Sequence, residues 1–223
     1  MRTPSIGIIG TGWVGASVAI SVLQAAAAQE VILFDTRDGL AEGEAMDLAH
    51  GAAFYPSALV RAGSLAEMQH TQAIVITAGK NGTPGQSRLD LLKENRGILR
   101  DIALQLRDYP GIVVIVTNPI DVLVFDFTQT SGLPPERVIG TGTMLDTARL
   151  RQMLGQRLAL DPRSIHAQVV GEHGDSEAVL WSGAEVGGVP LRSWVGWQPV
   201  DQDSHALAAG RGRAAGLVWM GLG

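Results

Sequence analysis

The chain has 223 residues, of which 46% are hydrophobic and 17% charged, enough for one large domain or for one domain and part of a second. A net charge of −5 without any basic run argues against a nucleic-acid partner, and the lack of cysteine excludes disulfides, thiol chemistry and cysteine-bound metal. The N-terminus lacks the basic-then-apolar layout of a signal peptide, and no apolar run approaches the ~20 residues that span a bilayer, so a cytoplasmic protein with no metal site is expected.

Ser5 to Gly10 reads as a short buried strand, a small-residue helix follows from Trp13 to about Ala27, and Val31 to Asp35 reads as a second strand. Strand, helix and strand in this space make the βαβ unit of a parallel sheet. Between strand and helix lies Gly10-Thr11-Gly12-Trp13-Val14-Gly15, a G-x-G-x-x-G run in the setting where it binds dinucleotides. Gly10 allows the tight turn, Gly12 lets a pyrophosphate approach the backbone, and Gly15 lets the helix close on the strand. The N–H groups at the helix start then face the phosphates. Asp35 stands 20 residues beyond Gly15, where a carboxylate accepts from ribose hydroxyls and repels a 2′-phosphate, so NAD is expected rather than NADP. Arg37 is the one neighbour that tempers this preference.

Ala41 to His50 reads as helix, with a short strand near Leu59-Val60. Ala73 to Thr77 is a continuous apolar run suited to a central parallel strand, and it ends in the small pair Ala78-Gly79. Lys80 to Arg88 carries two glycines and a proline and reads as a mobile loop. Arg88 at its far end is either a solvated or helix-start charge, or a group carried in by a closing lid. Helical spacing from Leu91 to Leu106 stops at Tyr109-Pro110-Gly111, and Ile112 to Val116 is another buried strand. Asn118 therefore lies at the same sheet edge as Gly10 and Gly79, where open α/β sheets bind ligands.

Val138-Ile139-Gly140 closes this half, and a second region begins near Thr141. Met144 to Leu158 reads as a helix with Asp146 and Arg149 on one face, either a local ion pair or part of a site. Arg151 points roughly to the opposite side. Ile165 to Val170 reads as one strand leading into Gly171-Glu172-His173-Gly174, where two glycines bend the chain around one imidazole. His173 is either presented there for chemistry or a loop residue without a task. From Pro199 the pattern deteriorates, and the ending reads as an incomplete domain.

The expected architecture is α/β: a Rossmann-type doubly wound parallel sheet over residues 1–140, then a C-terminally incomplete α+β substrate domain over 141–223.

Taken together these runs resemble the L-lactate and malate dehydrogenases, and the bacterial fructose-bisphosphate-activated lactate branch most closely. The matching runs are Gly10 to Gly15, Ala45 to Gly51, Ile76 to Gly79, Gly85 to Leu89, Thr117 to Asp121, Ile139 to Arg149 and Gly171 to Ser176, in family order between residue 5 and about 197. The resemblance implies NAD-dependent interconversion of L-lactate and pyruvate, at the end of glycolysis or in fermentation. It implies that His173 carries the proton, that Asp146 orients it, that Arg149 clamps the substrate carboxylate in a fork lysine cannot reproduce, and that Arg88 stabilises charge on the keto oxygen. Asn118 would contact the substrate oxygen and the nicotinamide ribose. The resemblance adds Val14, Ala78, Thr117 and Thr141 to the NAD site, places fructose 1,6-bisphosphate on Arg151 and His166, and implies a homotetramer in the full-length form. Gly82 stands where lactate dehydrogenases carry glutamine and malate dehydrogenases arginine. Lacking a cation there, the site disfavours oxaloacetate, and lacking the glutamine it opens toward larger 2-keto acids. The alternatives are therefore a 2-hydroxyacid dehydrogenase for such acids, a malate dehydrogenase, or an NAD-binding fragment without turnover.

Overall fold

The computed structural model describes residues 4–56, 58–82, 85–174 and 176–194, together with the backbone but not the side chain of Arg88. The chain forms two compact units that meet in sequence between Gly140 and Thr141. The deteriorating segment from Pro199 onward lies outside the described residues.

In the first unit the chain runs β1 (Ser5–Ile9), α1 (Trp13–Gln24), β2 (Glu30–Phe34), α2 (Leu40–His50), β3 (Leu59–Ala62), α3 (Leu65–Met68), β4 (Ala73–Ile76), α4 (Arg88–Gln105), β5 (Ile112–Ile115), α5 (Ile120–Ser131) and β6 (Val138–Gly140). The six strands form one parallel sheet in the order β3-β2-β1-β4-β5-β6. Sequence order reverses between β1 and β4, which makes the crevice beyond their carboxyl ends the topological switch point.

Both faces of this sheet are covered. Side chains alternate across each strand, so Val31 and Leu33 enter one core with Ile8, Ala19, Leu23, Ala45 and Leu48, beneath α1 and α2. Ile32 enters the other with Ile9, Ile74, Ile76, Leu99, Leu106, Ile115 and Phe127, beneath α4 and α5. Burial on both faces is why the strands read as unbroken apolar runs. Two helices, the one-turn α3 and the 18-residue α4, are fixed at their starts by side-chain caps. Ser64 and Glu67 form a reciprocal capping box on α3, and Ser87 accepts from the Asp90 N–H to start α4.

The second unit opens with α6 (Met144–Leu158), followed by β7 (Ile165–His166), β8 (Val169–Val170), β9 (Ala178–Val179), β10 (Glu185–Val186) and β11 (Val189–Pro190). The expected single strand over 165–170 is two strands: β7 pairs with β10, and β8 pairs antiparallel with β9. The chain changes sheets at Ala167-Gln168, and Val170 is 41% exposed on its two-stranded ribbon. Leu150, Leu154, Ile165, Ala167, Val169, Ala184, Val186 and Leu191 form this unit's own core. No helix among the described residues is long and apolar enough to cross a membrane.

Candidate active site

In the first unit the candidate residues gather at the carboxyl ends of β1, β2, β4 and β5. Gly10 follows β1 with φ +91°, and a Cβ on it would lie 2.6 Å from the Ala78 nitrogen, so the first turn needs glycine for both conformation and room. Thr77 locks this join by donating its hydroxyl to the Gly10 carbonyl at 2.6 Å. A Cβ on Gly15 would collide with the Gly10 carbonyl oxygen, which is the close helix–strand approach expected of it. Gly12 caps α1 without any side-chain hydrogen bond. The first N–H groups of this 12-residue helix are therefore left for a ligand, and Val14 stands exposed on its first turn. An open glycine cradle, a helix N-terminus without a side-chain cap and a carboxylate at the next strand end fit the pyrophosphate and ribose of a dinucleotide.

That carboxylate is Asp35. Thr11 N–H donates to its Oδ2 at 2.8 Å, which ties the glycine loop to the end of β2. Arg37 grips both of its oxygens, Nε to Oδ1 at 3.0 Å and Nη2 to Oδ2 at 3.1 Å. Burial works against the Asp35 charge, but the Arg37 guanidinium and the N–H groups of Arg37 and Thr11 outweigh it and hold the carboxyl well below the usual carboxylate range.

Ala78 and Gly79 follow β4, and Thr117 and Asn118 follow β5, side by side across the β4–β5 pairing. The Thr117 hydroxyl donates to the Ala78 carbonyl at 2.8 Å. Asn118 is exposed at the sheet edge, with its carbonyl accepting from Asn95 Nδ2 at 2.8 Å. Asn95 is a contributor the sequence reading missed. Buried on α4, it also accepts from the Lys80 N–H at 2.7 Å and donates to the Lys80 carbonyl at 3.2 Å. Its one signal is a polar residue in helical register with Ile98, Leu99 and Ile102. Gly82 is exposed in the segment between β4 and α4, and Arg88 is the first residue of α4. Its backbone thus has the helix-start placement.

In the second unit Thr141 precedes α6, and its carbonyl accepts from the Met144 N–H at 3.0 Å. Asp146 lies in the first turn of α6 with its side chain 1% exposed. Its Oδ2 meets His173 Nδ1 at 2.7 Å, and Arg149 Nη1 donates to its Oδ1 at 3.2 Å. The three residues expected to work together therefore share one buried carboxylate. Two threonines bring them there. Thr143 donates its hydroxyl to the Val169 carbonyl at 2.7 Å, and the Val169 N–H donates to the Thr147 hydroxyl at 3.0 Å. The strand is thereby sewn to α6, and Gly171, with φ +101°, turns the chain back toward Asp146. Glu177 is a second residue the sequence reading missed: it is buried, and with Asp146 and His173 it places one potential ligand atom each within 4.8 Å of the others. These three could hold a cation. The short Nδ1–carboxylate bond equally suits an imidazole held in one tautomer with Nε2 presented outward.

Arg151, on the same helix, donates Nε to the Ala167 carbonyl at 3.0 Å and so reaches the strand end beside the exposed His166. Arg149 and Arg151 have different partners, as their spacing predicts.

Residues 5–140 match the family model for the lactate/malate dehydrogenase NAD binding domain, and residues 143–209 that for the lactate/malate dehydrogenase alpha/beta C-terminal domain. An L-lactate dehydrogenase of Lactococcus lactis subsp. cremoris is 44% identical over 191 residues, covering 84% of this chain and 61% of that protein. The crystal structure of MGS-M5, a lactate dehydrogenase from a Medee basin deep-sea metagenome library, superposes with a TM-score of 0.89 at 38% identity, covering 100% of this chain and 72% of the other. The malate dehydrogenase of Picrophilus torridus in its apo form gives a TM-score of 0.86 at 32% identity, covering 100% and 71%. The chain spans about three-fifths of the length of the first curated relatives it matches, 61% for the Lactococcus enzyme.

Proposed function

The chain belongs to the lactate/malate dehydrogenase family, with its NAD binding domain over residues 5–140 and its alpha/beta C-terminal domain over 143–209, and on that premise we propose that it interconverts pyruvate and L-lactate with NAD as cofactor. The carrying observation is the 2.7 Å bond between His173 Nδ1 and the buried carboxylate of Asp146, with Arg149 on the other oxygen of the same group.

Gly10, Gly12, Val14, Gly15, Asp35, Ala78, Gly79, Thr117, Asn118 and Thr141 hold the cofactor. When bound, NAD supplies hydride exchange at the substrate carbon. His173 gives its Nε2 proton to the keto oxygen during reduction and takes it back during oxidation. Asp146 fixes the ring through Nδ1 and stabilises the imidazolium. Arg149 clamps the substrate carboxylate, Arg88 stabilises charge on the keto oxygen, and Asn118 contacts the substrate oxygen. Gly82 offers no cation to a second carboxylate, which favours a monocarboxylate over oxaloacetate.

The same reading places the protein in the cytoplasm at the end of glycolysis or in fermentation, as a homotetramer in the full-length form. Arg151 and His166 serve a regulatory site for fructose 1,6-bisphosphate. Its support is that Arg151 is anchored to the carbonyl next to His166, which brings two basic side chains to one strand end.

The test is NADH oxidation with pyruvate, 2-oxoisocaproate and oxaloacetate, with and without His173→Asn. Pyruvate is expected to give the highest kcat/KM, and the substitution to remove at least ~10²-fold of the rate. A clear preference for oxaloacetate, or turnover that survives the substitution, overturns the proposal.

A further inference from the structure

The carboxylate assigned to the adenosine ribose is already fully engaged. Asp35 Oδ1 accepts from the Arg37 N–H and from Arg37 Nε, each at 3.0 Å. Oδ2 accepts from the Thr11 N–H at 2.8 Å, the Thr11 hydroxyl at 3.3 Å and Arg37 Nη2 at 3.1 Å. A carboxylate offers about four lone-pair sites, so a ribose hydroxyl finds none open.

The two partners differ in freedom. The Asp35 side chain is 7% exposed, whereas that of Arg37 is 64% exposed. Arg37 Nη2 lies 3.6 Å from where a Cβ on Gly12 would stand, and apart from Gly12 and its two chain neighbours no other described atom comes within 4 Å of that point. The guanidinium therefore sits at the mouth of the glycine cradle, on a long stem free to swing. The local negative charge is also cancelled. Alone, Asp35 would repel a 2′-phosphate, but the ion pair is neutral, and its outer member is a planar fork of donors that matches phosphate oxygens. For an unphosphorylated ribose the same fork is a competitor for Asp35.

We propose that Arg37 selects the dinucleotide: it is the partner of a 2′-phosphate, so that the cradle takes NADP(H) as well as NAD(H), and a 2′-hydroxyl reaches Asp35 only by displacing it. This rests on the reading that residues 10–35 hold a nicotinamide dinucleotide. It departs from the expectation drawn from Asp35 alone, because that expectation gives the carboxylate no partner of its own.

The test is direct binding of NADH and of NADPH to the full chain without substrate, followed by cofactor fluorescence, for the unaltered protein, Arg37→Lys and Arg37→Ser. In the unaltered protein the two Kd values are expected within about tenfold of each other. Arg37→Ser weakens NADPH by about tenfold or more and leaves NADH equal or tighter, while Arg37→Lys, which keeps the charge but not the fork, falls between. Adenosine 2′,5′-bisphosphate displaces NADH from the unaltered protein better than from Arg37→Ser. NADPH binding more than ~100-fold weaker than NADH in the unaltered protein, or equal losses of both in Arg37→Ser, overturns the proposal while leaving the cradle as a dinucleotide site. If neither dinucleotide binds, the reading of the cradle falls, and the role of Arg37 with it.

Discussion

At the residue scale the decisive group is Asp146, because one buried carboxylate serves two side chains. Oδ2 orients the His173 ring and Oδ1 holds Arg149, so one side chain sets both the proton carrier and the substrate clamp. An exposed pair at this spacing would contribute only about 0–1 kcal/mol, but a side chain 1% exposed is outside that case. Asp146→Asn keeps the volume and replaces an acceptor by an amide that can present a donor to Nδ1, which favours the wrong tautomer. The expected outcome is a loss of at least ~10² in kcat, about 2.7 kcal/mol of barrier, with the Kd for NADH unchanged within about twofold. Steady-state kinetics with pyruvate beside a binding titration separates the two effects, and loss of NADH binding would assign Asp146 to the fold instead. The Asp146–Arg149 spacing was visible in the sequence. Asn95 and Glu177 were not, since a polar residue gives no sign of burial until its neighbours are placed.

At the element scale, charge joins strands and helix at one point of the first unit. Arg61 on β3 donates to Glu30 on β2 at 3.0 Å and to Glu67 on α3 at 2.7 Å. Glu67 also closes the capping box with Ser64. The Ser64 N–H and hydroxyl, with Arg61, hold the Glu67 carboxyl down at about 2. A carboxyl lower in the folded than in the unfolded chain adds stability above its unfolded value near 4.3, and this is lost as pH falls toward the folded value. Between pH 6 and pH 3 the urea midpoint should therefore drop further in the unaltered protein than in Glu67→Gln. Equal drops would detach Glu67 from acid stability. These elements also mark where the sequence could be read. β1, β2, β4 and β5 are legible because burial on both faces leaves unbroken apolar runs. α3 is too short for any period, so only Ser64-x-x-Glu67 betrays it. α5 hides in Ile120-Asp-Val-Leu-Val-Phe, a β-branched and aromatic composition that favours strand, until its packing under the sheet makes it helix. The single strand expected over 165–170 fails because β7 and β8 answer to different partners, and pairing over that distance leaves no local mark.

At the scale of the whole molecule, the two halves of the proposed chemistry rest on separate cores. Leu23 is fully buried in the cluster that presses α1 against the sheet, and so it braces the Gly10–Gly15 cradle. Leu154 is buried in the cluster under α6 with Leu150, Ile165 and Val169, the last of which Thr147 ties to the helix that carries Asp146. Truncating either leucine to alanine should cost about 2–5 kcal/mol through lost burial and a residual cavity, and effects without shared partners should add. The consequences should nevertheless differ. Leu23→Ala loosens the packing of α1 on the sheet and is expected to weaken NADH binding several-fold, because α1 is the helix whose start follows the glycine turn. Leu154→Ala is expected to leave the Kd for NADH within about twofold while lowering pyruvate turnover, because it loosens the seam between α6 and β8 that sets the Asp146–His173 distance. Hydrogen exchange resolved by peptide gives the independent readout. Protection should fall within 144–170 for Leu154→Ala and within the strands and helices around Leu23 for the other variant. If Leu154→Ala weakened NADH binding as much as Leu23→Ala does, the cores would not be energetically separate, and the packing under α6 would have to be counted as a support of the dinucleotide site.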